Sequence, residues 1–285
     1  MSKRRIRISE AGAAALRPLL EHPKYELIPL KNAMEQAAFL PTGATVTVTA
    51  SPAKGMQATV DLSRELLDLG FDVVPHLSAR LTTDRAELES ILSQLDDAGI
   101  TKAFVVGGDA DPPGDFYDGL SLLEAMKEIG HGLVDIGFPA YPEGHPVIPQ
   151  DALDQALHDK APFASSMTTQ MCFTPDTIVG WLRDRRAQGI DLPAYLGIPG
   201  VAELRKLIGI SARIGVGDSL KFLTKNTSLV GKLVRPGGYS PDALLIGMAD
   251  AIAEPSNGIH GFHIYTFNQV ESTERWRKEM LAELG

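Results

Sequence analysis

Several polar residues lie inside or directly after apolar segments of the sequence, and these residues have the clearest capacity for chemistry. Glu26 interrupts one apolar run, Asp109 follows two glycines after another, and Gln170 lies near the end of a third. An unpaired polar group is costly to bury. A buried carboxyl group also keeps its proton nearer to neutral pH, as a general acid must. Together, Glu26, Asp109 and Gln170 indicate a pocket suited to a heterocycle with amide-like edges.

Each of these candidates also has a structural interpretation that the residues alone leave open. Glu26 could form an ion pair with Lys24 at the rim of a fold. Gln170 could satisfy buried backbone groups, and Asp109 could form a turn after Gly107 and Gly108. The two glycines would also let a flat ligand approach the backbone closely.

The histidines and the single cysteine do not have the spacing of metal ligands. His76, His145 and Cys172 are far apart in the sequence, and His260 and His263 are three residues apart on a predicted strand. That separation points the last two to opposite faces. No Gly-x-Ser-x-Gly motif or Ser-His-Asp order is present either. We therefore predict no metal site, and these residues do not name a reaction.

The elements that must position these residues are short β-rich runs, each followed by a turn signal and a helical pattern. This alternation is typical of parallel βαβ units. An open doubly wound sheet is the alternative, but the chain lacks a G-x-G-x-x-G motif. We predict an α/β fold, a (βα)8 TIM barrel forming one domain over 1–285, with 1–20 as an N-terminal extension and the site at the C-terminal strand ends. The eight predicted strands are 25–30, 44–50, 71–77, 102–106, 133–138, 164–172, 192–198 and 261–267.

Several helix boundaries can also be predicted from capping residues. Asp84 with Glu87 predicts a helix start, and Gly99 predicts its end. Thr174-Pro175 and Ser240-Pro241 predict two further starts. The segment 209–239 is a long excursion before the eighth strand, with a helical pattern at 219–225.

Composition excludes several classes of protein. A net charge of -9 argues against nucleic-acid binding, and the one basic run, 3–5, is expected to be a solvated tail. No apolar run of membrane-spanning length is present. A single cysteine excludes an internal disulfide and favours a reducing compartment, so we expect a soluble, cytoplasmic protein. The sequence leaves open whether it forms a homo-oligomer.

Seven motifs between residues 25 and 268 stand in the order found in one enzyme family. They are Tyr-Glu-Leu-Ile-Pro from Tyr25, Pro-His-Leu from Pro75, Gly108-Asp109 with the proline-rich 112–114, Ala-Tyr-Pro-Glu-Gly-His-Pro from Ala140, Thr169-Gln170 with Phe173, Ile198-Pro199-Gly200, and Phe-His-Ile-Tyr-Thr-Phe-Asn from Phe262. On their account the chain resembles the methylenetetrahydrofolate reductase family. The family's catalytic domain is a (βα)8 barrel, and the chain looks like its short bacterial type.

The resemblance implies reduction of 5,10-methylenetetrahydrofolate to 5-methyltetrahydrofolate, with NAD(P)H as the electron source. Glu26 would help to protonate N10, so that the ring opens to a 5-iminium cation that accepts a hydride. Asp109 and Gln170 would hold the pterin of the tetrahydrofolate substrate, which suits their hydrogen-bonding groups. Phe222 looks like the family's folate-contacting Phe, with a plain core role as the alternative.

The resemblance also implies a cofactor site, and there the chain departs from the family. The family's FAD-binding Arg is replaced by Gly107, and its basic cluster keeps at most Lys160. Losing cations beside a pyrophosphate weakens binding. FAD is therefore left open: it would be bound weakly, bound differently, or absent, with hydride passing directly from nicotinamide to folate. The residues assigned to this site are Thr49, His76, Gly107, Gly108, Tyr117, Tyr141, His145 and Lys160.

Two other functions remain open at this stage. The chain could be a non-catalytic pterin-binding subunit, although Glu26 argues against that role. It could also be a barrel that transfers the methyl group of methyltetrahydrofolate to a corrinoid protein, in which case methyl transfer would proceed without nicotinamide oxidation.

Overall fold

The chain folds into a closed barrel of eight parallel strands, seen in a computed structural model that describes residues 8–202, 234–235 and 238–285. The order around the barrel is β1-β10-β7-β6-β5-β4-β3-β2, so every barrel strand has two neighbours. The predicted (βα)8 TIM barrel is confirmed. The strands are β1 (Lys24–Leu27), β2 (Thr45–Val48), β3 (Asp72–Ser78), β4 (Lys102–Val106), β5 (Asp135–Ala140), β6 (Ser166–Thr169), β7 (Ala194–Pro199), the antiparallel pair β8 (Val234–Arg235) and β9 (Gly238–Tyr239), and β10 (Ile259–Tyr265).

The described helices cover the outside of the barrel. They are α1 (Glu10–Glu21), α2 (Ala33–Ala37), α3 (Gly55–Asp68), α4 (Arg85–Asp97), α5 (Gly119–Ile129), α6 (Gln150–Lys160), α7 (Pro175–Ala187), α8 (Asp242–Ile252) and α9 (Val270–Glu283). Within this described part, none of the helices combines the length and the apolar character needed to cross a membrane. The predicted basic tail 3–5 and the helical stretch 219–225, including Phe222, lie outside the described residues.

Local capping chemistry accounts for the helix boundaries. The Asp84 side chain accepts a hydrogen bond from Glu87 N at 2.8 Å, which begins α4, and Gly99 follows the helix with φ +73°. Both confirm the prediction. Thr174 and Pro175 begin α7 as expected. The helix α8 begins one residue later than predicted, with Pro241 rather than Ser240 in the capping position.

The strand predicted at 164–172 is shorter, because the ladder ends at Thr169. Gln170 N still donates to Ala140 O at 2.7 Å, but the Gln170 side chain turns back on the chain and accepts from Met171 N at 2.8 Å. This local hydrogen bond competes with continued strand pairing.

The predicted N-terminal extension contains a helix that belongs to the hydrophobic core. In α1, Leu16 and Leu20 are fully buried, and the Ser9 side chain caps the first turn by accepting from Gly12 N at 2.9 Å. A Cβ atom on Gly12 would lie 3.0 Å from Ala249 Cβ, so glycine permits the close approach of α1 and α8. The segment therefore closes the packing around β10 and α8.

Charged side chains at the N-terminal end of the barrel interior are paired. Lys102 Nζ lies 2.6 Å from Asp72 Oδ2, and Thr45 donates to the same carboxylate oxygen at 2.9 Å. Lys24 Nζ lies 3.7 Å from the centroid of the Tyr195 ring. This end of the barrel satisfies its polar groups internally, as expected of a face that serves stability.

Candidate active site

A buried carboxyl group and a buried imidazole meet inside the barrel, where β1 and β10 pair. Side chains alternate along β1, so Tyr25 points outward to Glu274 on α9 while Glu26 points inward. Glu26 Oε2 lies 3.3 Å from His263 Nε2. Glu26 is 8% exposed and His263 only 1%. The proposed ion pair of Glu26 with Lys24 is replaced by this contact, because Lys24 lies over Tyr195 instead.

A second buried imidazole lies beside this pair. The ring of His76 on β3 is centred 6.2 Å from that of His263 and 4.8 Å from that of Phe104. Burial, followed by the charges of His263 and Lys24, lowers the pKa of His76 well below its usual value, so the imidazole is neutral. Its Nε2 atom has no hydrogen-bond partner within the described ranges. A neutral ring with an unsatisfied nitrogen can bind a polar ligand.

The residues Glu26, His76 and His263 are also the described side chains that could share a metal ion, since their ligand atoms lie within 4.8 Å of one another. The prediction of no metal site considered spacing along the chain, and these residues come from three different strands. His263 was missed as a site residue, although its opposite orientation to His260 was expected. His260 is indeed exposed and His263 buried.

The two predicted pterin-binding residues follow the C-terminal ends of β4 and β6. Asp109 is exposed on the loop after β4. Gly108, before it, has φ +82°, and a Cβ atom there would lie 2.1 Å from Ser78 Oγ. Glycine therefore lets this loop fold against the end of β3. Gln170 is half-buried, with its carbonyl oxygen engaged by Met171 N.

Two of the predicted cofactor residues form an aromatic contact after β5. The Tyr141 and His145 rings meet edge to face with centroids 5.4 Å apart. Burial raises the pKa of Tyr141 and lowers the pKa of His145, so both side chains are neutral near pH 7. His145 Nδ1 accepts from the backbone of Val147 and Ile148, each at 3.3 Å. Thr49 follows β2 directly and donates its N–H to Leu27 O at 2.9 Å.

The remaining predicted cofactor residues lie along the loop between β4 and α5. Gly107 faces the first residue of α5: a Cβ atom there would lie 4.0 Å from Gly119 N. Tyr117 is 72% exposed. Lys160 Nζ lies 4.5 Å from the centroid of the Phe138 ring, and burial lowers the pKa of Lys160 to about 8 despite the opposing charge of Asp118.

One cation that contacts this loop, Arg80, was not identified from the sequence. The Arg80 guanidinium lies 5.1 Å from the centroid of the Tyr117 ring, its Nε donates to Ala110 O at 3.0 Å, and its Nη2 lies 3.9 Å from Asp111 Oδ1. Arg80 lies two residues after the end of β3, the strand that carries His76, and that position was the available signal. It crosses from one strand end to the neighbouring loop.

The barrel order and the polar groups at its C-terminal end define a (βα)8 enzyme-type barrel with its site where such barrels carry chemistry. The family model of methylenetetrahydrofolate reductase matches residues 18–280, and the chain belongs to that family. It is therefore a folate-related reductase.

The chain also matches solved structures at low sequence identity. One is orotidine 5'-phosphate decarboxylase from Pyrococcus horikoshii OT3, with TM-score 0.49, 14% identity, and coverage of 92% of this chain and 98% of that chain. Another is described as the first monomeric dihydrodipicolinate synthase variant, with TM-score 0.38 and 14% identity. In that case 63% of each chain is covered, which is less than two thirds of the other protein.

Proposed function

We propose that this protein reduces 5,10-methylenetetrahydrofolate to 5-methyltetrahydrofolate, with the hydride coming directly from NAD(P)H. The observation that carries the proposal is the buried Glu26 carboxyl group beside His263, inside a barrel of this reductase family. Such a group is suited to protonating a nitrogen of a bound substrate in a site with little water.

In the proposed reaction Glu26 donates a proton to N10 of the substrate. The bond between N10 and the methylene carbon breaks, and its electron pair stays on N10. The methylene carbon remains on N5 as an iminium cation, which accepts a hydride from the nicotinamide. One NAD(P)H and one proton are consumed for each 5-methyltetrahydrofolate and NAD(P)⁺ formed.

The residues on the two loops would orient the substrate. The Asp109 carboxylate accepts hydrogen bonds and the Gln170 amide both donates and accepts them, which suits the amide-like edge of a pterin. His76, with its unsatisfied Nε2, would contact a ring placed over the barrel mouth. Asp109 and Gln170 therefore fix the pterin so that N10 faces Glu26.

The residues on the β4–α5 loop do not fit a resident FAD. That loop carries four aspartates, Asp109, Asp111, Asp115 and Asp118, where a diphosphate would need cations. Arg80 is already engaged by Ala110 O and lies near Asp111, and burial of Lys160 weakens its charge near pH 8. In the proposed reaction the hydride therefore reaches the folate without a flavin.

The experiment supplies purified protein with methylenetetrahydrofolate and either NADH or NADPH, with and without added FAD. We expect one reduced nicotinamide to be oxidised for each 5-methyltetrahydrofolate formed, with no gain from FAD. No turnover with either nicotinamide, even with FAD, would refute the reductase proposal. Methyl transfer to a corrinoid without nicotinamide oxidation would indicate the methyltransferase function instead.

Isotope transfer separates the direct route from a flavin route. With NAD(P)H carrying deuterium at the transferred position, direct transfer should place the deuterium in the product methyl group, with sequential kinetics. A reduced flavin exchanges its hydrogen with water and gives ping-pong kinetics. Loss of the label, together with ping-pong kinetics, would contradict direct transfer while leaving the reductase activity intact.

A further inference from the structure

Neighbouring side chains inside the barrel hold the His263 ring in contact with Glu26. The His263 ring lies against the ring of Tyr265, with centroids 4.8 Å apart, two residues along the same strand. Tyr265 Oη in turn donates to Thr169 O on β6 at 3.3 Å. The histidine is therefore held by a side chain that is itself anchored two strands away.

A glycine on the intervening strand makes this support possible. A Cβ atom on Gly197 of β7 would lie 2.0 Å from Thr169 O and 2.8 Å from Tyr265 Cε2. Without a side chain there, the Tyr265 ring can cross β7 and reach β6. Gly197 N also donates to Thr169 Oγ1 at 2.8 Å, which fixes the position of Thr169.

Among the described residues, the other titratable groups around His263 do not compete for its proton. Burial, followed by the charge of Glu26, raises the pKa of Tyr265 well above its ordinary value, so the phenol keeps its proton. The His76 imidazole stays neutral because burial lowers its pKa. Lys24, the register partner of His263 on β1, lies over Tyr195 at the opposite end of its strand from the folate site. Glu26 is the carboxyl group in contact with the imidazole.

We propose that His263 is a positioning residue that orients the Glu26 carboxyl group and returns a proton to it after each turnover. The inference rests on the proposed function, in which Glu26 loses a proton to N10. After product leaves, a proton from solvent adds to Nδ1 of the neutral imidazole. The Nε2–H bond of the resulting imidazolium breaks as a new O–H bond forms on Glu26 Oε2, which leaves His263 neutral again, so each cycle consumes one proton from water.

The test compares His263→Ala, His263→Gln and the wild type, with His260→Ala as the control on the exposed side of the same strand. For His263→Ala we expect kcat to fall about 100-fold, the scale of a lost proton-transfer group, with the folate KM within about 3-fold. Imidazole added to His263→Ala should restore kcat at least about 10-fold, by filling the space of the lost ring. The Gln variant keeps an N–H donor, so it should orient Glu26 but return no proton.

Single-turnover measurements separate orientation from proton return. In His263→Gln the first turnover should stay within about 3-fold of wild type, because a single turnover requires no return of a proton to Glu26, whereas steady-state turnover should fall at least about 10-fold. Equal first-turnover and steady-state losses, with no rescue by imidazole, would overturn the proton-return role. Wild-type kinetics in both His263 variants would overturn the whole inference. An inactive wild-type protein would instead refute the proposed function.

Discussion

The two ends of the barrel interior use buried polar groups in opposite ways. At the N-terminal end, Lys102, Asp72 and Thr45 are joined by contacts of 2.6 and 2.9 Å. At the C-terminal end, Glu26 and His263 meet at 3.3 Å, and His76 Nε2 has no hydrogen-bond partner in the described part of the chain. Thr47 Oγ1, on the residue paired with Glu26 across β1 and β2, is unsatisfied in the same way.

The N-terminal layer, with its polar groups paired, has a structural role. The layer around Glu26, with unsatisfied polar atoms, is available to bind a ligand. An unsatisfied buried polar atom costs about 1 to 3 kcal/mol unless something binds it. The N-terminal layer avoids that cost by internal pairing, whereas the layer around Glu26 keeps it. Substitutions at the N-terminal end should therefore change stability and not catalysis, whereas substitutions around Glu26 should change catalysis.

The largest expected effect is that of Glu26→Gln. The amide keeps the size and hydrogen-bonding capacity of the side chain but has no acidic proton, so methylenetetrahydrofolate reduction should fall by about 100-fold or more. Folding and folate binding should persist. Steady-state kinetics measure the reduction rate and a binding isotherm measures the folate affinity. Glu35→Gln, at an exposed position, is the matched control. Near-normal reduction would return Glu26 to a structural role beside His263.

Lys160→Met should give the next largest effect, a gain in stability of about 2 kcal/mol at pH 7, scaled down for partial exposure. Burial lowers the pKa of Lys160 from 10.5 to about 8 in the folded protein. Between these values the unfolded chain binds more protons, so wild-type stability rises with pH. The advantage of the variant should therefore shrink from pH 8 upward and vanish above pH 10.5. Urea unfolding at several pH values measures the stability difference between the variant and the wild type. A difference that does not change with pH would show that it does not come from the lowered pKa of Lys160.

The loop residues should affect folate more than nicotinamide. Asp109→Ala and Gln170→Ala each remove a hydrogen bond to the pterin, so folate affinity should fall about 10-fold while nicotinamide affinity changes little. Asp111→Ala, whose side chain is exposed on the same loop, is the control. Because Gln170 also accepts from Met171 N, Gln170→Glu keeps that contact and should still weaken folate. Equal losses for both ligands would mean that the loops had been disordered.

The fold was predictable from the sequence because its signals are local and repeated. Most of the predicted strands are short, largely apolar runs, and the Asp84 cap and Gly99 mark α4 by side-chain and backbone chemistry that needs no distant contact. The boundaries were less predictable. The ladder at β6 ends because the Gln170 side chain closes on its own backbone, and the buried role of α1 depends on its packing against α8.

The candidate site was predictable in part, for a different reason. Glu26 could be identified because a carboxyl group interrupts an apolar strand. His263 and Arg80 could not, since their importance comes from neighbours distant in sequence: Glu26 for His263 and the Tyr117 loop for Arg80. The order of strands around the barrel places β10 beside β1, which spacing along the chain does not reveal.

The smallest expected effect concerns the ion pair at the N-terminal end of the barrel interior. Lys102 and Asp72 are about one third exposed, at 33% and 38%, so their ion pair should contribute at most about 1 kcal/mol. Lys102→Met, Asp72→Asn and the double variant form a double-mutant cycle that measures the coupling by urea unfolding. The coupling should be favourable and should weaken in high salt, because exposed pairs are screened.

All three variants should retain kcat and the folate KM within about 2-fold, since the pair lies at the opposite strand ends from Glu26. A large loss of kcat without a loss of stability would show that the two ends of the barrel are coupled, and that the division between a structural and a ligand-binding layer is wrong.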